Sequence, residues 1–190
     1  MPLAEKLSRY WDQDRSLTAL LVLLGLNILV LSPAARLGSV IAPLAQWSLI
    51  LLLAAGILAM GRGAYRVIAL VFLLVTILFR LSNFVDDAPW SNVAGLAFAS
   101  GTQVFIIYGV ALMVNAEGPV TGHRIRGAVA LYLLIAAFFS TLYALLELTR
   151  PGAFRFSSGA GLDPAQLTDT LGYFSCVTLT TVGYGDVTAV

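Results

Sequence analysis

Uncharged stretches divide this chain. Residues 16–35 carry no charge between Arg15 and Arg36, and residues 37–61 run uncharged again around the apolar stretch Trp47–Met60. Ala88–Ala116 forms another such run, and Gly127–Leu146 the last, closed by Glu147. Each is long enough for a helix across about 30 Å of hydrocarbon, which takes about 20 apolar residues. Val67–Phe79, between Arg66 and Arg80, has only 13 residues. It spans if both arginines lay their stems along the apolar layer and carry their heads to opposite interfaces. The pattern therefore predicts five helical spans. The longest stretch outside them, Thr149–Leu167, is punctuated by Pro151, Gly152, Ser157, Ser158, Gly159, Gly161 and Pro164 and reads as an exposed loop. Asp163 suits a helix N-cap and Pro164 a first helical position, so a short helix is expected over about Pro164–Thr178.

Composition agrees with the spans. The chain is 59% hydrophobic and 11% charged with a mean hydropathy of +0.89, whereas a soluble domain carries about 25% charged residues. A lipid bilayer is thus the expected partner. A net charge of +1 gives no electrostatic case for nucleic acid. The single cysteine, Cys176, excludes an intrachain disulfide and reads as a small apolar residue. Intramembrane catalysis needs paired carboxylates, a nucleophile with a base, or metal ligands at depth. The only histidine, His123, and the only lysine, Lys6, fall outside the predicted spans, and Glu147 stands alone, so neither an enzyme nor a cofactor is expected. One lysine against ten arginines, with abundant Ala, Leu and Gly, fits a GC-rich bacterial genome.

The most specific stretch is Thr181-Val182-Gly183-Tyr184-Gly185, followed by Asp186. At residue frequencies of about 5%, such a five-residue string occurs by chance in roughly one chain in ten thousand of this length, so chance is a poor account of it. It resembles the selectivity filter of potassium channels. The preceding residues, Thr168–Thr180, resemble the pore helix of that family, with Tyr173-Phe174 where an aromatic cuff surrounds the filter. The resemblance implies an all-α integral membrane protein: about five transmembrane helices, then a re-entrant pore helix and filter loop. It divides the chain into a four-span region, 1–126, and a partial pore domain, 127–190.

The resemblance also implies ligands. K⁺ would lose its water to rings of backbone carbonyls from Thr181, Val182, Gly183 and Tyr184 of four subunits, with the Thr181 hydroxyl added. A homotetramer and K⁺ itself are the implied partners. Gly183 and Gly185 supply the positive φ that such a carbonyl column needs. Thr180, Asp186, Tyr173, Phe174 and Val177 are the implied filter support. Some family members carry a Glu at the position of Val177, bonded to the Asp; valine cannot serve, which leaves Tyr173 as the expected partner of Asp186.

Orientation follows from the positive-inside bias. With five spans and a cytoplasmic N-terminus, the inner side holds Lys6, Arg9, Arg15, Arg62, Arg66, Arg124 and Arg126. The outer side holds Arg36, Arg80, Arg150 and Arg155. Dropping the Val67–Phe79 span while keeping an external pore loop reverses that bias, so five spans are preferred, in the cell's inner (plasma) membrane. The fourth span, about Trp90–Asn115, holds no Lys or Arg, so it lacks the 3–4 gating charges of a voltage sensor. Asn27, Gln46, Gln103 and Asn115 are candidates for interhelical hydrogen bonds. Arg80 reads as a snorkelling helix-end residue or as a partner of Asp86 or Asp87. Glu147 reads as support for the pore helix or as an exposed interfacial carboxylate.

The sequence stops at Val190, where the resemblance places an inner, cavity-lining helix. The expectation is a truncated form of a potassium channel subunit. The alternative is a non-conducting membrane protein that co-assembles with full-length subunits and regulates them.

Overall fold

The computed structural model describes residues 17–28, 41–59, 64–82, 89–116, 119, 121–157 and 164–190. Its helices are α1 (Leu17–Leu26), α2 (Ile41–Ala59), α3 (Ala64–Ser82), α4 (Pro89–Val114), α5 (Gly122–Thr149) and α6 (Pro164–Leu179). Two three-residue strands, β1 (Phe154–Phe156) and β2 (Val187–Ala189), complete it.

Among the described residues, three helices are long and apolar enough to cross a membrane: Ala64–Ser82, Trp90–Val114 and Arg124–Thr149. Shorter apolar stretches, Leu17–Leu26 and Trp47–Ala59, stand where the first two spans are expected. The short run Val67–Phe79 extends at both ends into the 19-residue α3, with Arg66 in its first turn and Arg80 in its last. At 1.5 Å per residue that is about 28 Å, close to the hydrocarbon thickness. Its outer face exposes Val67, Leu70, Val71, Leu74, Leu78 and Leu81, an apolar surface suited to lipid rather than water. The chain is an all-α membrane protein with one small two-stranded ribbon added.

α4 is central, packed along α3 on one side and α5 on the other; α5 in turn carries α6. Leu20, Leu24, Leu53, Ile57, Ile106, Val110 and Leu134 form a fully enclosed apolar core. An aromatic ladder joins α3 to α4: Phe72 meets Phe98 edge-on at 5.4 Å and Phe105 at 5.6 Å, and Phe79 stacks on Phe98 at 5.7 Å. Gly101 permits this approach, because a Cβ there would lie 2.5 Å from a Phe72 ring carbon.

Two of the four candidate residues make interhelical hydrogen bonds. Asn27 donates to the Ser48 hydroxyl, and the buried Gln103 donates to Thr141 Oγ1 at 3.2 Å, joining α4 to α5. Asn115 differs: its side-chain amide donates locally to the Ala111 carbonyl at 2.9 Å, the same oxygen that accepts its backbone N–H, instead of reaching another helix. The side chains of Gln46 and His123, and Asp86, Asp87 and Asp163, lie outside the described residues.

The last span starts earlier than the charge pattern indicates. α5 begins at Gly122, so Arg124 and Arg126 are helical rather than loop residues. Arg124 reaches back to the Val114 carbonyl with Nε at 3.0 Å and Nη2 at 2.8 Å, closing the carbonyl end of α4. Arg126 donates to Thr18 Oγ1 at 3.0 Å, tying α5 to α1. These bonds reward continuing the helix through both arginines.

Candidate functional site

α6 is a short apolar helix pinned to α5 by small and polar residues. Ser175 Oγ donates to the Ala136 carbonyl at 2.7 Å, and the Tyr132 hydroxyl to that of Leu179 at 3.2 Å. Leu171 is fully buried, and Gly172 faces Ser140 closely enough that a Cβ would sit 3.3 Å from its hydroxyl.

How α6 ends determines the site. Thr180 is the last turn residue: its amide and hydroxyl both return to the Cys176 carbonyl, at 3.0 and 2.8 Å. Thr181 N–H then donates to Thr178 O at 3.0 Å and Val182 N–H to Val177 O at 3.0 Å. That pair of bonds is a Schellman C-cap, whose C′ residue adopts the left-handed conformation. The C′ residue here is Thr181, at φ 60°. A β-branched residue is an outlier in that region. Gly183 and Gly185 follow at φ 56° and 76°, the positive values expected of them. Gly183 N–H also points back to Val177 O, at 3.4 Å.

Three successive amides of this segment, at Thr181, Val182 and Gly183, are therefore spent on the end of α6. The carbonyls are not: among the described residues, no hydrogen bond is accepted by the main-chain oxygen of Thr181, Val182, Gly183, Tyr184 or Gly185. All five residues are exposed, Tyr184 at 71% and Val182 at 53%. In an apolar layer each unsatisfied backbone group costs several kcal/mol, so this row requires a ligand, water or a neighbouring surface. The electrostatics favour a cation. The C-terminus of α6 carries the negative end of its dipole, and residues 156–190 hold Asp163, Asp169 and Asp186 with no Lys, Arg or His.

Tyr173 and Phe174 separate. The Tyr173 ring stacks on Tyr184, with centroids 6.4 Å apart and planes 4° from parallel, and its phenol lies beside the Asp186 side chain. Tyr173 is thus brought to Asp186. Phe174 packs away from Tyr184, on Tyr143 at 5.3 Å and Phe154 at 5.6 Å. Val177 acts through its main chain, as the acceptor for two filter amides.

The ribbon is absent from the sequence reading. β1 pairs antiparallel with β2, Phe154 opposite Ala189, Arg155 opposite Thr188 and Phe156 opposite Val187. Ser157 N–H donates to Asp186 O at 2.9 Å, and Asp186 Oδ1 accepts from Val187 N–H at 3.1 Å. The exposed loop is therefore partly a strand, clamped to the residues that follow Gly185. Glu147 holds its near end, accepting from Gly152 N–H at 2.8 Å and Phe154 N–H at 3.0 Å. Ser175 and Tyr132 are further contributors that the sequence pattern does not single out, and Ser157, expected only as a loop residue, ends the ribbon.

Residues 128–190 match the family model described as "Ion channel", from the first turns of α5 to the end of the chain. No curated protein and no solved structure matches.

Proposed function

Starting from the match of residues 128–190 to the ion-channel family model, we propose that this chain is a subunit of a potassium-selective channel. Four copies surround one axis, and each contributes a quarter of every carbonyl ring. The observation that carries the reading is the division of labour along Thr181–Gly185: amides turned onto α6, carbonyls without a partner, positive φ at residues 181, 183 and 185. K⁺ gives up its hydration shell to those oxygens. The Thr181 hydroxyl adds a ligand at the inner end, and Asp186, held by Tyr173, fixes the outer end. The bilayer is the solvent of α3, α4 and α5, the N-terminus lies on the cytoplasmic side, and the β1–β2 ribbon is external.

Conduction is tested in liposomes with a form continued past Val190 by the inner helix that the resemblance places there. Under opposed K⁺ and Na⁺ gradients the reversal potential should lie near that of K⁺. Equal permeability to the two ions refutes the proposal. Native mass spectrometry from mild detergent should give a tetramer, and a monomer counts against it.

A further inference from the structure

Glu147 sits in the last turn of α5, beside free carbonyls, where the helix dipole disfavours a carboxylate. Both of its oxygens are nevertheless engaged, Oε1 by Gly152 N–H at 2.8 Å and Oε2 by Phe154 N–H at 3.0 Å. Gly152 stands at φ 89°, which lets the chain turn back on the end of α5 and brings both amides to the carboxylate. Phe154 begins β1, and among the described residues β1 is the only strand paired with β2. The pairing is bracketed by Val190 N–H to Ala153 O and Ser157 N–H to Asp186 O, each 2.9 Å. The filter exit thus has one continuous mechanical support: Glu147, the turn, β1, then Asp186 and β2.

We infer that Glu147 is a positioning residue for ion ligation, acting through the ribbon on the outer carbonyls at Tyr184 and Gly185. The inference rests on the carbonyl-filter reading above. Ionised acceptors make the shorter and stronger hydrogen bonds, and the carboxylate sets one oxygen against each of two alternate donors of the turn, Gly152 N–H and Phe154 N–H. Alanine removes both acceptors; glutamine keeps one oxygen and sets an N–H₂ group against the other amide.

The test measures thermal unfolding of the reconstituted protein over a K⁺ titration, with Na⁺ replacing K⁺ at constant total salt. Ligation at the filter raises the melting point by mass action, and the K⁺ concentration for half of that rise reports the site. Glu147→Ala should raise that concentration about tenfold, equivalent to 1.4 kcal/mol, and Glu147→Gln by a smaller factor. A disulfide across the ribbon should restore it. Arg155 and Thr188 face each other on the exposed side, and paired residues about 5.5 Å apart lie within disulfide reach. Arg155→Cys with Thr188→Cys, oxidised in a Glu147→Ala, Cys176→Ser background, should return half-saturation towards the wild-type value, and reduction should undo this.

If Glu147 is only a stabilising residue, melting falls equally in both salts and half-saturation does not move, which overturns the inference. So does a crosslink that forms without restoring K⁺ response. If the alanine variant does not fold, the glutamine variant with and without the crosslink carries the same comparison. A wild-type protein that responds equally to K⁺ and Na⁺ removes the filter reading itself, whereas a K⁺-specific wild type with unaffected variants removes only the role of Glu147.

Discussion

Replacing Gly183 or Gly185 by alanine isolates the conformational part of ion selection. Neither position is crowded: an added Cβ would meet nothing within 4 Å at either residue. The penalty is therefore one of backbone geometry, since φ is 56° at Gly183 and 76° at Gly185. An L-residue in that region costs about 1–2 kcal/mol. Within one subunit that lowers the population of the filter conformation by roughly 5–30-fold. Fourfold symmetry repeats the substitution, so a whole pore meets about 4–8 kcal/mol, comparable with the net stability of a domain. Because the residues are exposed and unpacked, the cost should fall on the filter while the helices stay folded. Circular dichroism and melting in Na⁺ should change little, the K⁺-specific rise in melting temperature should vanish, and selectivity in the flux assay should be lost. If both alanine variants keep wild-type K⁺ response and selectivity, positive φ is not what aims the carbonyls and the reasoning fails.

Three further substitution sets probe other links. Tyr173→Phe removes the donor to Asp186 but keeps the ring on Tyr184; half-saturation by K⁺ should rise several-fold with melting in Na⁺ nearly unchanged. Gly101→Ala should do the opposite: its Cβ would press on Phe72, and overpacking of this kind costs about 1–3 kcal/mol, so melting should fall equally in KCl and NaCl. Single cysteines in a Cys176→Ser background report orientation. An impermeant thiol reagent on intact cells should label Arg150→Cys and spare Gly122→Cys.

The sequence displays most of what lipid and charge dictate and little of what the chain does to itself locally. Uncharged runs marked the helices because a membrane segment must be apolar over its whole length, and α6 ends within one residue of its expected limit. The stretch Thr181–Gly185 stood out because its glycines and aromatic residue sit at fixed spacing, and the positive φ at Gly183 and Gly185 is what such glycines permit. Glu147 was ambiguous because its partners are backbone amides five and seven residues on, which leave no trace in residue type. The ribbon was invisible for a related reason: three residues of β1 are too few to show a period of two, and their partner strand lies beyond α6. Tyr173 and Phe174 looked like one feature, yet neighbours on a helix of 3.6 residues per turn point about 100° apart. One therefore reaches the filter while the other joins the cluster with Tyr143 and Phe154. The left-handed Thr181 was hidden as well, since its conformation comes from the helix cap rather than from its own preference.

The central claim is that the main-chain oxygens of the Thr181–Gly185 segment bind K⁺, and their vibrations report this directly. Carbon-13 and oxygen-18 labelling of the Val182 and Gly183 carbonyls moves their stretching bands away from the rest of the backbone. In the reconstituted protein those bands should shift when K⁺ replaces Na⁺ at constant ionic strength, and the shift should saturate at the same K⁺ concentration as the thermal response. Bands that stay unmoved by K⁺ while the protein remains folded and tetrameric would contradict the account.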